Sequence, residues 1–257
     1  MLELRNIEKS FGRGTVNETR LFEDFSLHVK EGEFVSVVGS NGSGKTTMLG
    51  IACGSLPADG GKVLVGGKDM TALAEYKRYR RIGRVYQDPA MGTCPHMTIA
   101  ENMALAEQKG TLSGLGFGIS KKRLARYREL LVPLGLGLED KPEAKVGTLS
   151  GGQRQAMALV MATMTPIDIL ILDEHTAALD PKTAEIIMHL TDKVVREKKL
   201  TAVMVTHNLR YAVEYGDRII MMHKGKAVLD RAGEEKAATR VEDLLGLFGE
   251  ISVECGN

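Results

Sequence analysis

At positions 39–47 the chain reads Gly39-Ser40-Asn41-Gly42-Ser43-Gly44-Lys45-Thr46-Thr47, which matches the phosphate-binding pattern G-x-x-x-x-G-K-[ST] without a departure. The apolar run 34–38 before it is typical of a buried strand, and 47–52 after it is typical of an apolar helical turn. Glycines let backbone N–H groups approach a phosphate, and a helix N-terminus adds its positive dipole end. Lys45 would reach the β- and γ-phosphates, and the Thr46 hydroxyl would ligate Mg²⁺. The stretch therefore predicts a nucleoside triphosphate site rather than a flexible Gly/Ser loop.

The overall composition limits the class of protein. A chain of 257 residues can bury a full core, as one large α/β domain or a core with a small subdomain. Lys and Arg number 34 against 33 Asp and Glu, which disfavours nucleic acid as the main partner. No apolar run approaches about 18 residues and no apolar signal segment is seen, so we expect a soluble chain that meets a membrane only through a partner. Ordinary thiols in a reducing compartment are predicted because the cysteines are odd in number and lack metal-ligand spacing: Cys53, Cys94 and Cys255.

Alternating strand and helix signals predict an α/β organisation. Segments 2–7 and 21–29 alternate as half-buried strands joined by a polar hairpin loop, and 60–69 has the pattern strand, turn, strand. Segment 97–133 is helical in pattern, with a glycine-rich loop at 110–118 and no strand signal, which predicts a helical subdomain inserted into the core. Apolar strand runs then return at 169–172, 200–205, 218–222 and 225–229.

Periodicity and charge also predict which side chains are buried. One helix face is expected to carry Ile99, Met103 and Leu105. The inner side of a helix opened by Pro181 and capped by Asp180 is expected to carry Ile186, Ile187, Leu190 and Val194. Solvated surfaces, rather than nucleic-acid or lipid sites, are predicted for two basic segments: the helix end 76–81 and the amphipathic helix 121–128.

Two acidic residues, Asp173 and Glu174, directly follow the apolar run 169–172. An aspartate at the carboxyl end of a buried strand beside a phosphate loop is positioned to hold Mg²⁺ or its waters. The adjacent glutamate could accept a proton from an attacking water. The alternative, two acids that merely end a strand, is disfavoured by the matching phosphate loop.

A second glycine-rich helix start occurs at Leu149-Ser150-Gly151-Gly152-Gln153. It offers a second anion site but no lysine, so it could contact a phosphate without being the primary nucleotide site. An ordinary N-cap at Ser150 explains a lone S-G-G well, but it does not explain all five residues together in this position. Two interpretations are also open for Phe11, where the first strand ends: it could stack on an adenine ring or be a plain core or hairpin aromatic.

Taken in order, these motifs resemble the nucleotide-binding subunit of an ATP-binding cassette (ABC) transporter over nearly the whole chain. Gly39–Thr46 resembles the Walker A motif, Ile169–Asp173 the Walker B motif and Leu149–Gln153 the family signature, which is the most specific of the three because many P-loop proteins have the other two. One position departs, because His175 stands where relatives usually carry proline after the catalytic glutamate. Loss of a fixed φ and gain of a titratable ring are expected to change local stiffness or the pH profile without removing a catalytic group.

The resemblance implies a role for each matching residue. The implied catalytic residues are Glu174, His207, Lys45 and Gln87. The implied Mg²⁺ ligands are Thr46, Gln87 and Asp173. The implied nucleotide-binding residues, of which the last five act across a dimer, are Phe11, Gly39, Ser40, Asn41, Gly42, Ser43, Gly44, Lys45, Thr46, Thr47, Ser150, Gly151, Gly152, Gln153 and Asp180.

The predicted fold is α/β: a P-loop NTPase core with an antiparallel β subdomain and an inserted α-helical subdomain. Residues 1–257 are expected to form a single ABC ATPase domain. Within it we predict the core with its β subdomain at 1–88 and 155–240, the helical subdomain with the signature at 89–154, and a short helical tail at 241–257.

The resemblance implies an ATPase that uses ATP and Mg²⁺, dimerises on ATP and powers solute transport through a partner permease. Two loops, 87–93 and 173–180, resemble a bacterial importer subgroup with an extracytoplasmic binding protein, often assigned to amino acids. The expected location is the cytoplasmic face of the cell membrane, as a peripheral homodimer without nucleic acid. Two alternatives stay open: a non-transport ABC ATPase such as an iron–sulfur assembly component, and a low-turnover nucleotide-dependent regulatory module.

Overall fold

The computed structural model describes residues 1–109 and 119–254. These residues form ten β-strands in two sheets and nine α-helices. The strands are β1 (Leu2–Phe11), β2 (Thr19–Val29), β3 (Phe34–Gly39), β4 (Gly60–Val65), β5 (Lys68–Asp69), β6 (Ile82–Val85), β7 (Ile169–Asp173), β8 (Ala202–Val205), β9 (Arg218–His223) and β10 (Lys226–Ala232). The helices are α1 (Lys45–Cys53), α2 (Glu75–Arg78), α3 (Ile99–Glu107), α4 (Lys121–Leu131), α5 (Gly151–Thr163), α6 (Pro181–Glu197), α7 (Leu209–Glu214), α8 (Gly233–Ala238) and α9 (Val241–Glu254).

The larger sheet carries the site. Its strand order is β10-β9-β3-β8-β7-β6, and all neighbours run parallel except β10, which pairs antiparallel with β9. Strands β3 and β8 are buried along their whole length, which accounts for their continuous apolar sequences. Because parallel strands end at the same edge, the loops that follow β3, β7 and β8 meet there.

The smaller sheet is antiparallel, in the order β2-β1-β4-β5. Its apolar side chains, among them Leu4 and Phe22, pack in one core with Met48 and Leu49 of α1. The sheet therefore covers the helix that begins at the phosphate loop. The predicted antiparallel β subdomain is confirmed.

A separate apolar core joins α3, α4 and one face of α5. It includes Met103, Tyr127 and Met157. On another face of α5, Ala158 and Leu159 pack in one core with Leu170 of the larger sheet. Helix α5 therefore connects the helical part to the sheet, as expected of an inserted helical subdomain, and the predicted fold class is confirmed. The exact divisions at 1–88, 89–154, 155–240 and 241–257 remain predictions; the glycine-rich loop 110–118 and residues 255–257, including Cys255, lie outside the described residues.

The basic segment 76–81 was expected to be solvated, and this is wrong for Arg78. Its side chain is buried, at 3% exposure, and its guanidinium donates hydrogen bonds to four carbonyl oxygens. The acceptors belong to Ile51 and Ala52 near the end of α1 and to Thr71 and Leu73 before α2. The guanidinium therefore connects these two segments. A buried arginine needs such partners because an unpaired buried charge is costly.

Two apolar residues also point away from the faces predicted for them. Leu105 is 51% exposed although Ile99 and Met103 are buried. Residues four apart share a helix face, whereas a residue six positions on lies about a third of a turn away. Ile186 is likewise 43% exposed, because α6 buries the face that carries Ala184, Ile187, Met188, Thr191 and Val195.

Candidate nucleotide-binding site

The phosphate loop joins β3 to α1 in a conformation that requires glycine. Gly44 immediately precedes α1 with φ 107°, in the left-handed region, and a Cβ there would lie 2.9 Å from the Phe22 ring. A Cβ on Gly39 would lie 2.3 Å from the carbonyl oxygen of Met222. No side chain caps the N-terminus of α1 within the described chain, so its first N–H groups face the loop without a side-chain acceptor. The loop is therefore shaped to receive an anion.

Lys45 is held inside this loop. Its Nζ donates to the carbonyl oxygens of Gly39 at 2.8 Å and Ser40 at 2.9 Å, and the side chain is buried. Burial lowers the pKa of the ammonium group, against the opposing attraction of Glu174. The two carbonyl oxygens carry only partial negative charge. A phosphate would therefore be a stronger partner for the ammonium group, because it is fully anionic.

Glu174 and His207 form a contact at the edge of the sheet. Glu174 follows β7 with φ 48°, an uncommon conformation for a residue other than glycine, and its N–H donates to the carbonyl oxygen of Val205 at 2.9 Å. One carboxylate oxygen lies 2.7 Å from Nε2 of His207, which follows β8. The backbone thus aims the carboxylate across the sheet edge, toward the phosphate loop.

A cavity of about 380 Å³ brings together most of the predicted phosphate-side residues. It is lined by residues 41–47, Glu174, His207 and Phe11. Phe11 is 41% exposed, which excludes the core alternative but not the hairpin one, and its stacking on an adenine ring stays a prediction. Lys9 Nζ lies 5.6 Å from the centre of that ring.

Gln87 and Asp173 lie in a neighbouring cavity of about 630 Å³. Gln87 is exposed and is the second residue after the end of β6. One oxygen of the Asp173 carboxylate accepts a hydrogen bond from Nη2 of Arg84 at 2.7 Å. The sequence prediction names Gln87 and Asp173 near these strand ends but does not include Arg84. A charged residue within an otherwise buried four-residue strand, β6, was the available signal.

The signature residues form the start of α5 and line neither of these two cavities. Ser150 Oγ accepts from the N–H of Gln153 at 3.2 Å, and Gln153 Oε1 accepts from the N–H of Ser150 at 3.1 Å. This reciprocal capping box confirms the N-cap, and Ser150 and Gly151 are exposed to solvent. Gly152 is buried against α6, where its Cβ would lie 2.3 Å from Cγ2 of Thr183.

Asp180 caps α6, as predicted. Its carboxylate accepts from the N–H of Thr183 at 3.1 Å, and hydrogen bonding by Thr183 lowers the pKa of the carboxyl group. The residue is exposed, like the signature serine.

A family profile described as ABC transporter matches residues 22–177. The chain belongs to the ABC transporter family. It is 46% identical to a tyrosine transport ATP-binding protein of Clostridioides difficile (strain R20291), over 96% of this chain and 98% of that protein. It is 33% identical to the spermidine/putrescine import ATP-binding protein PotA of Haemophilus influenzae, over 98% of this chain and 64% of that protein.

Solved structures of ABC cassettes agree with the assignment of the chain to this family. An ATP-binding cassette solved as a dimer in a post-hydrolysis state with ADP and Pi matches with a TM-score of 0.75 and 32% identity, over 90% of this chain and 98% of that one. A cassette of an ABC transporter in its ADP conformation matches with a TM-score of 0.80 and 26% identity, over 100% and 99% of the two chains. The chain is thus a nucleotide-binding subunit, an ATPase of the kind that is coupled to transport.

The oxygen donors of the ABC subunit fit Mg²⁺ bound together with a nucleotide. Mg²⁺ prefers oxygen ligands and is usually held by one or two carboxylates, waters and substrate phosphates. Thr46, Gln87 and Asp173 supply a hydroxyl, an amide and a carboxylate oxygen. Residues 1–109 and 119–254 contain no cluster of three or more His, Cys, Asp or Glu side chains able to hold a metal alone. The donor set therefore suits a cation that arrives with its phosphates.

Within the described ranges, no helix of this subunit has the length and apolar character needed to cross a bilayer.

Proposed function

We propose that the subunit binds MgATP at this site, dimerises head to tail and uses hydrolysis to drive solute import through a membrane permease. One observation carries the proposal most directly. The phosphate loop, Glu174 and His207 surround one cavity, whereas the signature residues Ser150 and Gly151 lie outside it with their polar groups exposed. A phosphate bound by the phosphate loop, Glu174 and His207 would still lack contacts with the signature residues. A second copy of the subunit would supply those contacts.

Each side chain of the site has a separate role in hydrolysis. Water attacks the γ-phosphorus in line with the bond to the β–γ bridging oxygen, which breaks, and Glu174 accepts the water's proton. Lys45 exchanges its carbonyl partners for the β- and γ-phosphates, and His207, held by Glu174, positions the γ-phosphate. Thr46, Asp173 and Gln87 would hold Mg²⁺, which when bound would offset the negative charge on the phosphate oxygens.

Ser150 is suited to complete the site of a partner subunit. Its oxygen already accepts the N–H of Gln153, so the hydroxyl proton remains available to a phosphate oxygen. The N–H of Gly151 lies in the first turn of α5 and has no partner inside the helix. Both donors favour an anion at this helix start.

A groove beside the Gln87 loop fits the permease. It measures about 400 Å³ and contains two exposed apolar side chains, Met91 at 71% and Leu105 at 51% exposure. Exposed apolar side chains in a concave surface are typical of a protein-binding site. Gln87 directly follows Tyr86, which lines the groove, so a segment docked there would lie next to the proposed cation site.

The proposed cargo is an amino acid, on the strength of the 46% identical tyrosine transport relative. A binding protein outside the membrane delivers the cargo, and the ATPase sits peripherally on the cytoplasmic face. Tagged subunit, purified from gently solubilised membranes of its own cell, should retain a polytopic membrane protein. A purely soluble assembly would refute transport and favour another ATP-driven role.

The composite site is tested with Glu174→Gln, which should bind ATP without hydrolysing it. We expect this variant to elute as a dimer with MgATP and as a monomer without nucleotide. Gly151→Glu in the same background places a negative charge at an exposed signature position and should abolish the dimer while leaving nucleotide binding to the monomer intact. A Glu174→Gln variant that binds ATP but stays monomeric would contradict head-to-tail assembly.

A further inference from the structure

Arg84 lies between the proposed cation site and the groove proposed for the permease. Its guanidinium donates to Asp173 at 2.7 Å, and the side chains are only 11% and 15% exposed. The same guanidinium stacks over the ring of Tyr86, with 4.5 Å from Cζ to the ring centre. Arg84 and Tyr86 line both cavities, the one that contains Asp173 and the one that contains Leu105.

Tyr86 is fixed on its other sides. Its hydroxyl lies 2.8 Å from the hydroxyl of Tyr79, which donates to Glu75 at 2.6 Å. Its carbonyl oxygen accepts from Nε2 of Gln155 in α5 at 3.0 Å. The ring is thus a fixed support that holds the guanidinium against Asp173.

The hydrogen bonding of Arg84 is incomplete. Its Nε is buried and has no hydrogen-bond partner among the described residues. A buried charged group with an unpaired N–H is costly, but Nη1 of Arg81 is also buried without a partner among the described residues, so it is the retention of Arg84 beside Asp173, rather than the unpaired atom itself, that calls for an explanation. Stability alone explains it poorly, because a well-packed apolar residue is often as stabilising as a buried ion pair.

We propose that Arg84 is a positioning residue that acts as a counter-ion to Asp173 and weakens cation binding there until the groove is filled. The guanidinium occupies one carboxylate oxygen and repels a divalent cation at the other. A segment that displaces Tyr86 removes the support for the guanidinium and frees the carboxylate for Mg²⁺. This inference rests on the metal role of Asp173 given above, and it adds a means by which the groove controls that site.

The test measures cation affinity rather than turnover. Mn²⁺ is titrated into the subunit saturated with ADP, and free Mn²⁺ is followed by electron paramagnetic resonance. Arg84→Met should bind Mn²⁺ about tenfold more tightly, since a unit charge this close to a divalent ion has an effect of that size even with water-like screening. Arg84→Gln keeps a hydrogen-bond donor for Asp173 without the charge and should behave like Arg84→Met, while Arg84→Lys should resemble the wild type.

The chain offers a matched control. Arg81 pairs with Asp168 just before the same two strands, β6 and β7, begin, at the edge of the sheet away from the site. Arg81→Met removes an arginine–aspartate pair of similar character and should leave the Mn²⁺ affinity unchanged. Tyr86→Leu, which removes the stacking support but keeps the charge, should give an intermediate tightening.

The possible outcomes separate the two proposals. Wild-type protein that binds neither ADP nor Mn²⁺ would refute the proposed function. Normal binding by the wild type, with Arg84→Met and Arg84→Gln unchanged or weaker, would refute the counter-ion role while leaving the ATPase site in place. Equal tightening by Arg81→Met would also refute it, because the effect would then come from loosening of the strand pair.

Discussion

His175 makes the stability of the fold depend on pH, and the size of the effect follows from its burial. The imidazole is 2% exposed, and its Nε2 lies 3.1 Å from Oγ1 of Thr191. Thr191 in turn donates to the carbonyl oxygen of Ile187 at 2.8 Å, so its oxygen accepts from the ring. Burial lowers the pKa of His175 from 6.5 to about 4, because the interior disfavours the charged ring.

A lowered histidine pKa removes stability as the pH falls. The unfolded chain takes up the proton near pH 6.5, whereas the folded chain resists it down to about pH 4. The unfolded state therefore binds more protons in this window, and the free energy of unfolding decreases as the pH falls through it. The whole shift corresponds to about 3 kcal/mol. Between pH 7 and pH 5 the loss due to His175 is about 2 kcal/mol.

The assay is urea unfolding of the nucleotide-free subunit at pH 7, 6 and 5. Carboxylates also titrate in acid, so the relevant quantity is the difference between wild type and His175→Gln at each pH. We expect this difference to shift by about 2 kcal/mol in favour of the variant between pH 7 and pH 5. His96→Gln, at an exposed position, controls for the loss of a histidine as such. A constant difference across the range would refute the reasoning, whatever its absolute size.

Two further predictions concern packing around the site. Arg78→Met should lower the free energy of unfolding by about 3 kcal/mol in urea titrations, because four carbonyl acceptors lose their donor. Arg80 is exposed, so Arg80→Met should change the free energy of unfolding by less than about 0.5 kcal/mol. Equal effects of the two substitutions would contradict this prediction. Gly152→Ala should lower the free energy of unfolding by about 2 kcal/mol through overlap with Cγ2 of Thr183, and Thr183→Ser should restore most of this loss. Gly151→Ala is the milder control, because its Cβ would lie 3.3 Å from Cδ2 of Leu179, the end of a flexible side chain that can shift by a few tenths of an ångström.

The sequence predicted the parts of the site that depend on local pattern. The phosphate loop needs glycine at close approaches such as Gly39 and Gly44, and a strand before and a helix after it, all of which are short-range features. Asp173 is the last residue of β7, Glu174 follows that strand directly, and His207 comes shortly after β8. Because the carboxyl ends of parallel strands share one edge, neighbouring strands are enough to bring these residues together.

The sequence did not predict contacts between distant segments. Arg78 reads as one of several basic residues on a helix end, and only the fold brings the carbonyl oxygens of Ile51 and Ala52 to it. His175 shows the same limit, because its departure from the usual proline was visible in the sequence but its burial against Thr191 was not. For Ile186, the apolar residues of α6 extend round more of the helix than the core covers.

The two arginine–aspartate pairs show how position decides function. Strands β6 and β7 are parallel neighbours, so an arginine near each end of β6 can meet an aspartate near the same end of β7. Arg81 and Asp168 meet at the amino ends, where no proposed ligand of the site lies, and the pair ties the strands together. Arg84 and Asp173 meet at the carboxyl ends, where the same chemistry places a positive charge on a proposed ligand of Mg²⁺. The pairs share residue types and strands, so only a measurement of cation affinity, and not of stability, should separate Arg84→Met from Arg81→Met.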